Sequence, residues 1–127
     1  MKRLIVVLGA LGSVAALACF SDRTGPGVAG ECRVPVTVID STHFIVAIRN
    51  FAFHPDSLTV PTGATVTWVN CEDAGQEPHT TTSSSAVWAS PNLLSGDRYS
   101  HTFGGGAGTF DYSCTIHPTM LGKIVVQ

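Results

Sequence analysis

Beyond residue 43, apolar and polar residues alternate in short runs broken by Gly, Pro, Asn and Asp, the period-two signature of half-buried strands. Residues 44–48 open the series. Phe51-Ala52-Phe53 follows, then a turn at His54-Pro55-Asp56 and a short run at 58–60 closed by Pro61-Thr62-Gly63. Residues 65–70 alternate cleanly, with Val66 and Trp68 on one face and Thr65 and Thr67 on the other. Further strands are expected at 79–82, 98–103, 109–114 and 123–126, with an irregular stretch through Trp88 and Pro91. No segment holds a helical period for more than about two turns. Seven to eight strands in about 90 residues predict an all-β fold, an antiparallel Greek-key β-sandwich, because each strand must bury one face against a second sheet. Gly104-Gly105-Gly106-Ala107-Gly108 is expected to be a hairpin-type turn. It is not a phosphate cradle, since no helix follows to offer free N–H groups.

The first eighteen residues break this pattern and change the picture. Lys2 and Arg3 precede an uncharged run over 4–18, about the length of a signal-peptide hydrophobic region and short of the roughly 20 residues of a spanning helix. Ala16-Leu17-Ala18-Cys19 resembles a bacterial lipoprotein processing site, with Cys19 as the lipidated first residue. The expected organisation is therefore a signal peptide over 1–18, a Gly/Pro-containing tether over 19–33 and a folded domain over 34–127. Export to the periplasm or cell envelope follows, with the membrane touched only through the N-terminal lipid.

Only 13% of the residues are charged, and 7 Lys+Arg stand against 9 Asp+Glu. Without Lys2 and Arg3 the mature chain keeps 5 basic and 9 acidic side chains, a formal charge of −4. That balance excludes nucleic acid as a partner, whose binding rests on phosphate neutralisation. The apolar fraction, 44%, excludes a disordered chain.

The chemistry gathers at one strand end. Period two puts Phe110, Tyr112 and Cys114 on the inward face of the 109–114 strand. The next residues give Cys114-Thr115-Ile116-His117-Pro118-Thr119-Met120, so a thiol, an imidazole and a thioether recur every third residue. One short loop can wrap these around a single ion, and His79, just after Pro78, is the best-placed fourth ligand. His₂Cys with a weak axial Met is a blue-copper ligand set, and thioether suits copper better than zinc. His43, His54 and His101 have no ligand spacing, and Trp68 and Trp88 are expected to be packing aromatics.

On these residues the chain from 44 to 127 resembles the cupredoxins, of the plastocyanin and amicyanin kind. The matching segments are Phe51-Ala52-Phe53-His54-Pro55, Thr65-Val66-Thr67-Trp68-Val69-Asn70, Pro78-His79, Gly108-Thr109-Phe110-Asp111-Tyr112, the loop from Cys114 to Met120, and Gly122-Lys123-Ile124-Val125-Val126. The short gap between His117 and Met120 is similar to amicyanin. The resemblance implies one type 1 copper held by His79, Cys114, His117 and Met120, and one-electron transfer with no catalysis. Copper storage or delivery is the alternative. A multicopper oxidase would need His-x-His pairs, and none exists; a binuclear centre would need a second Cys in the loop. The implied partner is a redox protein such as a c-type cytochrome or a copper or haem enzyme, met by a monomer. Docking would use His117 with Ile116, Pro118 and Leu121, and Glu72, Asp73 and Glu77 would form an acidic rim. Thr80 departs from the Asn usual after the first ligand His, which leaves the side-chain link between the ligand loops in question. Cys32 and Cys71 remain, and in an oxidising compartment they are expected to pair.

Overall fold

The computed structural model describes Cys32 and residues 37–127; the segments read as signal peptide and tether, with Cys19, lie outside the described residues, Cys32 excepted. Among these residues no helix is long and apolar enough to cross a membrane.

The fold is the expected β-sandwich. Its strands are β1 (Thr37–Val38), β2 (His43–Arg49), β3 (Ala52–His54), β4 (Ser57–Val60), β5 (Thr65–Asn70), β6 (Thr82–Ser83), β7 (Arg98–Thr102), β8 (Gly108–Ser113) and β9 (Leu121–Val126). One sheet runs β1-β2-β5-β7, with β3 on the end of β2; the other runs β4-β9-β8-β6. Both sheets are mixed. β2 lies parallel to β5, and β4 parallel to β9, while the remaining pairs are antiparallel. The parallel pairs arise because the chain leaves β2 for the hairpin strand β3, crosses to β4 in the second sheet and returns to β5 beside β2. The glycine-rich segment after β7 also departs from expectation. It carries the chain from one sheet to the other and does not close a hairpin.

Alternation sets the core. Val66 and Trp68 of β5 face the second sheet, while Thr65 and Thr67 face solvent and pair with Thr102 (2.8 Å) and Ser100 (2.7 Å) on β7. Trp68 stacks on Trp88 at 5.3 Å and meets Tyr112 edge-on at 5.4 Å, and Phe53 lies 4.7 Å from Tyr112. Such buried aromatics supply most of the apolar area of a small sandwich. The Tyr112 ring lies across β9, where Gly122 leaves it room: a Cβ at Gly122 would overlap the hydroxyl end of the ring. Tyr112 is thereby fixed two residues before Cys114, and the core ends where the site begins.

Candidate metal centre

Cys114 is the first residue beyond β8 and is fully buried, on the inward side that the alternation from Tyr112 requires. The chain then turns back on itself. Met120 N–H donates to the His117 carbonyl (2.9 Å) and Cys114 N–H to the Met120 carbonyl (3.1 Å), so the loop closes before β9 starts. Met120 is buried within the core cluster. His79 comes from the opposite side. Its backbone exchanges bonds with Leu93, His79 N–H to Leu93 O at 3.1 Å and Leu93 N–H to His79 O at 2.8 Å. The strand expected over 79–82 is thus a single bridge followed by the two-residue β6, because Pro78 gives no donor and the next N–H is spent elsewhere.

That next N–H belongs to Thr80 and points at the Cys114 sulfur, 3.3 Å away. The Thr80 hydroxyl accepts from Thr115 N–H (2.8 Å) and pairs with the Thr115 hydroxyl (2.9 Å). Threonine therefore supplies the link between the two ligand segments for which Asn is the commoner residue.

The His79, Cys114 and His117 side chains converge. Cys114 Sγ lies 3.9 Å from His79 Nδ1 and 3.7 Å from His117 Nδ1, and the three ligand atoms fall within 4.8 Å of one another. Nitrogen and sulfur at about 2.0 and 2.3 Å from one ion stand about 3.7 Å apart at a trigonal angle, so the trio fits a single metal. Burial, and then His117 beside it, push the His79 imidazole below its ordinary pKa, against the pull of Glu72. A neutral imidazole is the form that ligates.

Two residues that spacing did not single out surround these ligands. Glu72 Oε1 lies 3.3 Å from His79 Nε2, within ion-pair reach but not aligned for a hydrogen bond, and its side chain is only 9% exposed. The same oxygen accepts from Phe51 N–H at 2.8 Å. Of the three acids expected to form a rim, Asp73 and Glu77 are exposed and Glu72 is turned inward. The Phe51 ring stands edge-on to both imidazoles, 5.3 Å from His79 and 5.0 Å from His117. Its sequence signal is a bulky residue after Asn50 in a turn.

Outside the cluster, His43 pairs with Asp40 at 2.9 Å, His54 Nε2 lies 3.2 Å from the Arg49 carbonyl, and His101 stacks on Trp88 at 5.3 Å. Around His117, Ile116 (38%) and Leu121 (65%) are exposed and Pro118 is open to solvent. Cys32 and Cys71 form a disulfide, placing a crosslink directly before Glu72.

Residues 12–126 match the cupredoxin-like domain family. The chain is 33% identical over 123 residues to amicyanin of Paracoccus denitrificans, covering 95% of this chain and 89% of that protein. Among solved structures it is similar to the Cu(I) form of an amicyanin mutant, with a TM-score of 0.60 and 38% identity over 69% of this chain and 84% of that one. It is also similar to the copper-containing nitrite reductase of Thermus scotoductus, with a TM-score of 0.59 and 32% identity over 65% of this chain, but it spans only 22% of that enzyme.

Proposed function

This chain belongs to the cupredoxin-like domain family, and from that premise we propose that it is a blue copper electron carrier working between redox proteins outside the cytoplasm. The observation that carries this reading is the convergence of Cys114 Sγ with Nδ1 of His79 and His117 at a buried point. Copper bound there supplies a one-electron Cu(II)/Cu(I) couple.

The chain's own residues do the rest. Cys114 would hold the copper through its thiolate, His79 and His117 through ring nitrogens, and Met120, at the end of the loop, through its thioether. Thr80 donates its N–H to the sulfur and ties the His79 segment to the loop, so the donors keep their places when the charge of the site changes. The core below Tyr112 and Trp68 excludes water from the Cys114 side. His117 is the only ligand of the set that is not fully covered, which makes its ring the shortest route for an electron to a partner. Ile116, Pro118 and Leu121 give that face an apolar contact surface, with Asp73 and Glu77 as acidic groups for a basic partner such as a c-type cytochrome. The N-terminal pattern supports export to the periplasm and anchoring through a lipid on Cys19. The likeness to a reductase covers only 22% of that chain, and this chain has none of the His-x-His pairs that further copper centres use.

Adding Cu(II) to the purified apo-protein should give an intense blue thiolate-to-copper band, and Cys114→Ser should abolish it. A colourless complex from the parent protein sinks the reading. Rapid electron exchange with a cytochrome separates the carrier from a copper-delivery protein, which would instead pass Cu(I) to an apo-acceptor.

A further inference from the structure

The loop joining β2 to β3 holds two residues, Asn50 and Phe51, between the paired Arg49 and Ala52. Both have positive φ, 52° and 55°. That is the pattern of a type I′ hairpin turn, for which Asn-Gly is the preferred pair. Asn tolerates the left-handed region and Phe does not, since its Cβ crowds the following carbonyl. Phe51 is also 45% exposed, so burial in the core does not explain it. Local backbone preference and hydrophobicity both argue for another residue here, and strain of this kind points to a functional constraint.

The ring's contacts supply that constraint. It meets both imidazoles perpendicularly, at interplanar angles of 84° with His79 and 89° with His117, and the two imidazoles are themselves 4.9 Å apart. The ring thus occupies the wedge between the two ligands, in edge-to-face geometry. The backbone that carries the ring is held in place, because Phe51 N–H donates to Glu72, whose carbonyl accepts from Ser95 Oγ (2.6 Å) and whose N–H donates to Asn70 Oδ1 (3.0 Å). On its other side Phe51 lines a cleft of about 520 Å³ that reaches Met120. Neither imidazole lines that cleft, whereas Phe51 both lines it and touches the two imidazoles.

We propose that Phe51, latched by Glu72, is a positioning residue that fixes the two imidazoles in their metal-binding orientation and closes the site to small ligands from solvent. This rests on the copper reading and goes beyond it, because it assigns a role to a strained surface residue outside the ligand set.

The test uses the full-length protein and three variants, Phe51→Gly, Phe51→Asn and Phe51→Leu. Gly and Asn suit the turn and remove the ring; Leu keeps bulk without the aromatic edge. The expected result is a split between fold and site. Apo Phe51→Gly melts at or above the parent temperature because the turn strain is relieved. Its Cu(II) form shows a shifted charge-transfer band and binds azide about tenfold more tightly, since the wedge no longer shields the metal side of the imidazoles. Phe51→Asn behaves like Gly, and Phe51→Leu falls between Gly and the parent. Cu(II) spectra and azide affinities identical to the parent's in Gly and Asn overturn the proposal. So does failure of both to fold, or an equal loss of stability with and without copper, because the ring would then serve the fold alone. A parent protein that gives no blue band fails the copper reading itself, which keeps the two outcomes apart.

Discussion

Two imidazoles outside the metal cluster differ in what covers them. His43 sits beside Asp40 in solvent, and hydrogen bonds from Thr42 and His43 hold the Asp40 carboxyl down to about 2. His101 is stacked on Trp88 and edge-on to Phe103 at 4.8 Å, and desolvation lowers its pKa below the ordinary 6.5. A histidine whose folded pKa is depressed binds its proton more readily in the unfolded chain. Its contribution to stability is therefore complete above pH 6.5 and is lost as pH falls through the folded value. Asp40 titrates far below this window and does not overlap it. The apo-protein's melting temperature should fall between pH 7 and pH 5, and His101→Phe, which keeps the stack and removes the proton, should flatten part of that slope. Parallel slopes for parent and variant would show that His101 carries none of it. Sequence spacing set His101 apart, and the structure places it outside the group of His79, Cys114 and His117, but its partial burial depends on Trp88, which comes from an irregular segment with no pattern to read.

At the scale of elements, the strands were legible wherever one face is wet and the other dry, as in β5, where Thr65 and Thr67 alternate with Val66 and Trp68. The parallel pairing of β2 with β5 was not, since a period of two records which face is buried and not which neighbour lies alongside. The site divides in the same way. Cys114 and His117, which the structure brings together with His79, stood out because one loop carries them at fixed spacing with Met120, and His79 because it follows Pro78 at an expected strand start. Glu72 and Phe51 reach the ligands only through the fold, from a different loop and a different hairpin, so no local spacing announces them. Thr80 lies between these cases: its position beside His79 was evident, and its function depends on meeting Thr115. Thr80→Val keeps the branched shape and removes the hydroxyl, leaving Thr115 N–H without its partner. The expected cost is about 1 kcal/mol of stability by denaturant unfolding. The blue band should persist, because the closer of Thr80's two contacts with the sulfur comes from the backbone N–H at 3.3 Å, against 3.9 Å from the hydroxyl. Loss of that band in Thr80→Val would instead make the hydroxyl essential to the thiolate.

On the scale of the whole molecule, the disulfide joins the N-terminal segment to the metal end of the sandwich. Cys71 follows β5, donates its N–H to the Ile48 carbonyl at 2.7 Å, and precedes Glu72, which contacts His79 and holds Phe51. The bridge spans 39 positions. On the chain-entropy model, closing a loop of that length stabilises the folded state by about 4 kcal/mol, a large share of the roughly 5–15 kcal/mol available to a small domain. Replacing both cysteines with serine should therefore lower the melting temperature by about 15 °C or more, at roughly 4 °C or more per kcal/mol for a domain this size. The crosslink also restrains the residue that latches the site, so its removal should act on copper as well as on the fold. Copper should leave the double variant faster than the parent, measured by transfer to a chelator at a temperature where both are folded. A large fall in melting temperature with an unchanged copper off-rate would confine the disulfide to stabilising the chain. A faster off-rate would show that the anchor of the N-terminal segment also holds Glu72, and through it Phe51 and His79, in place.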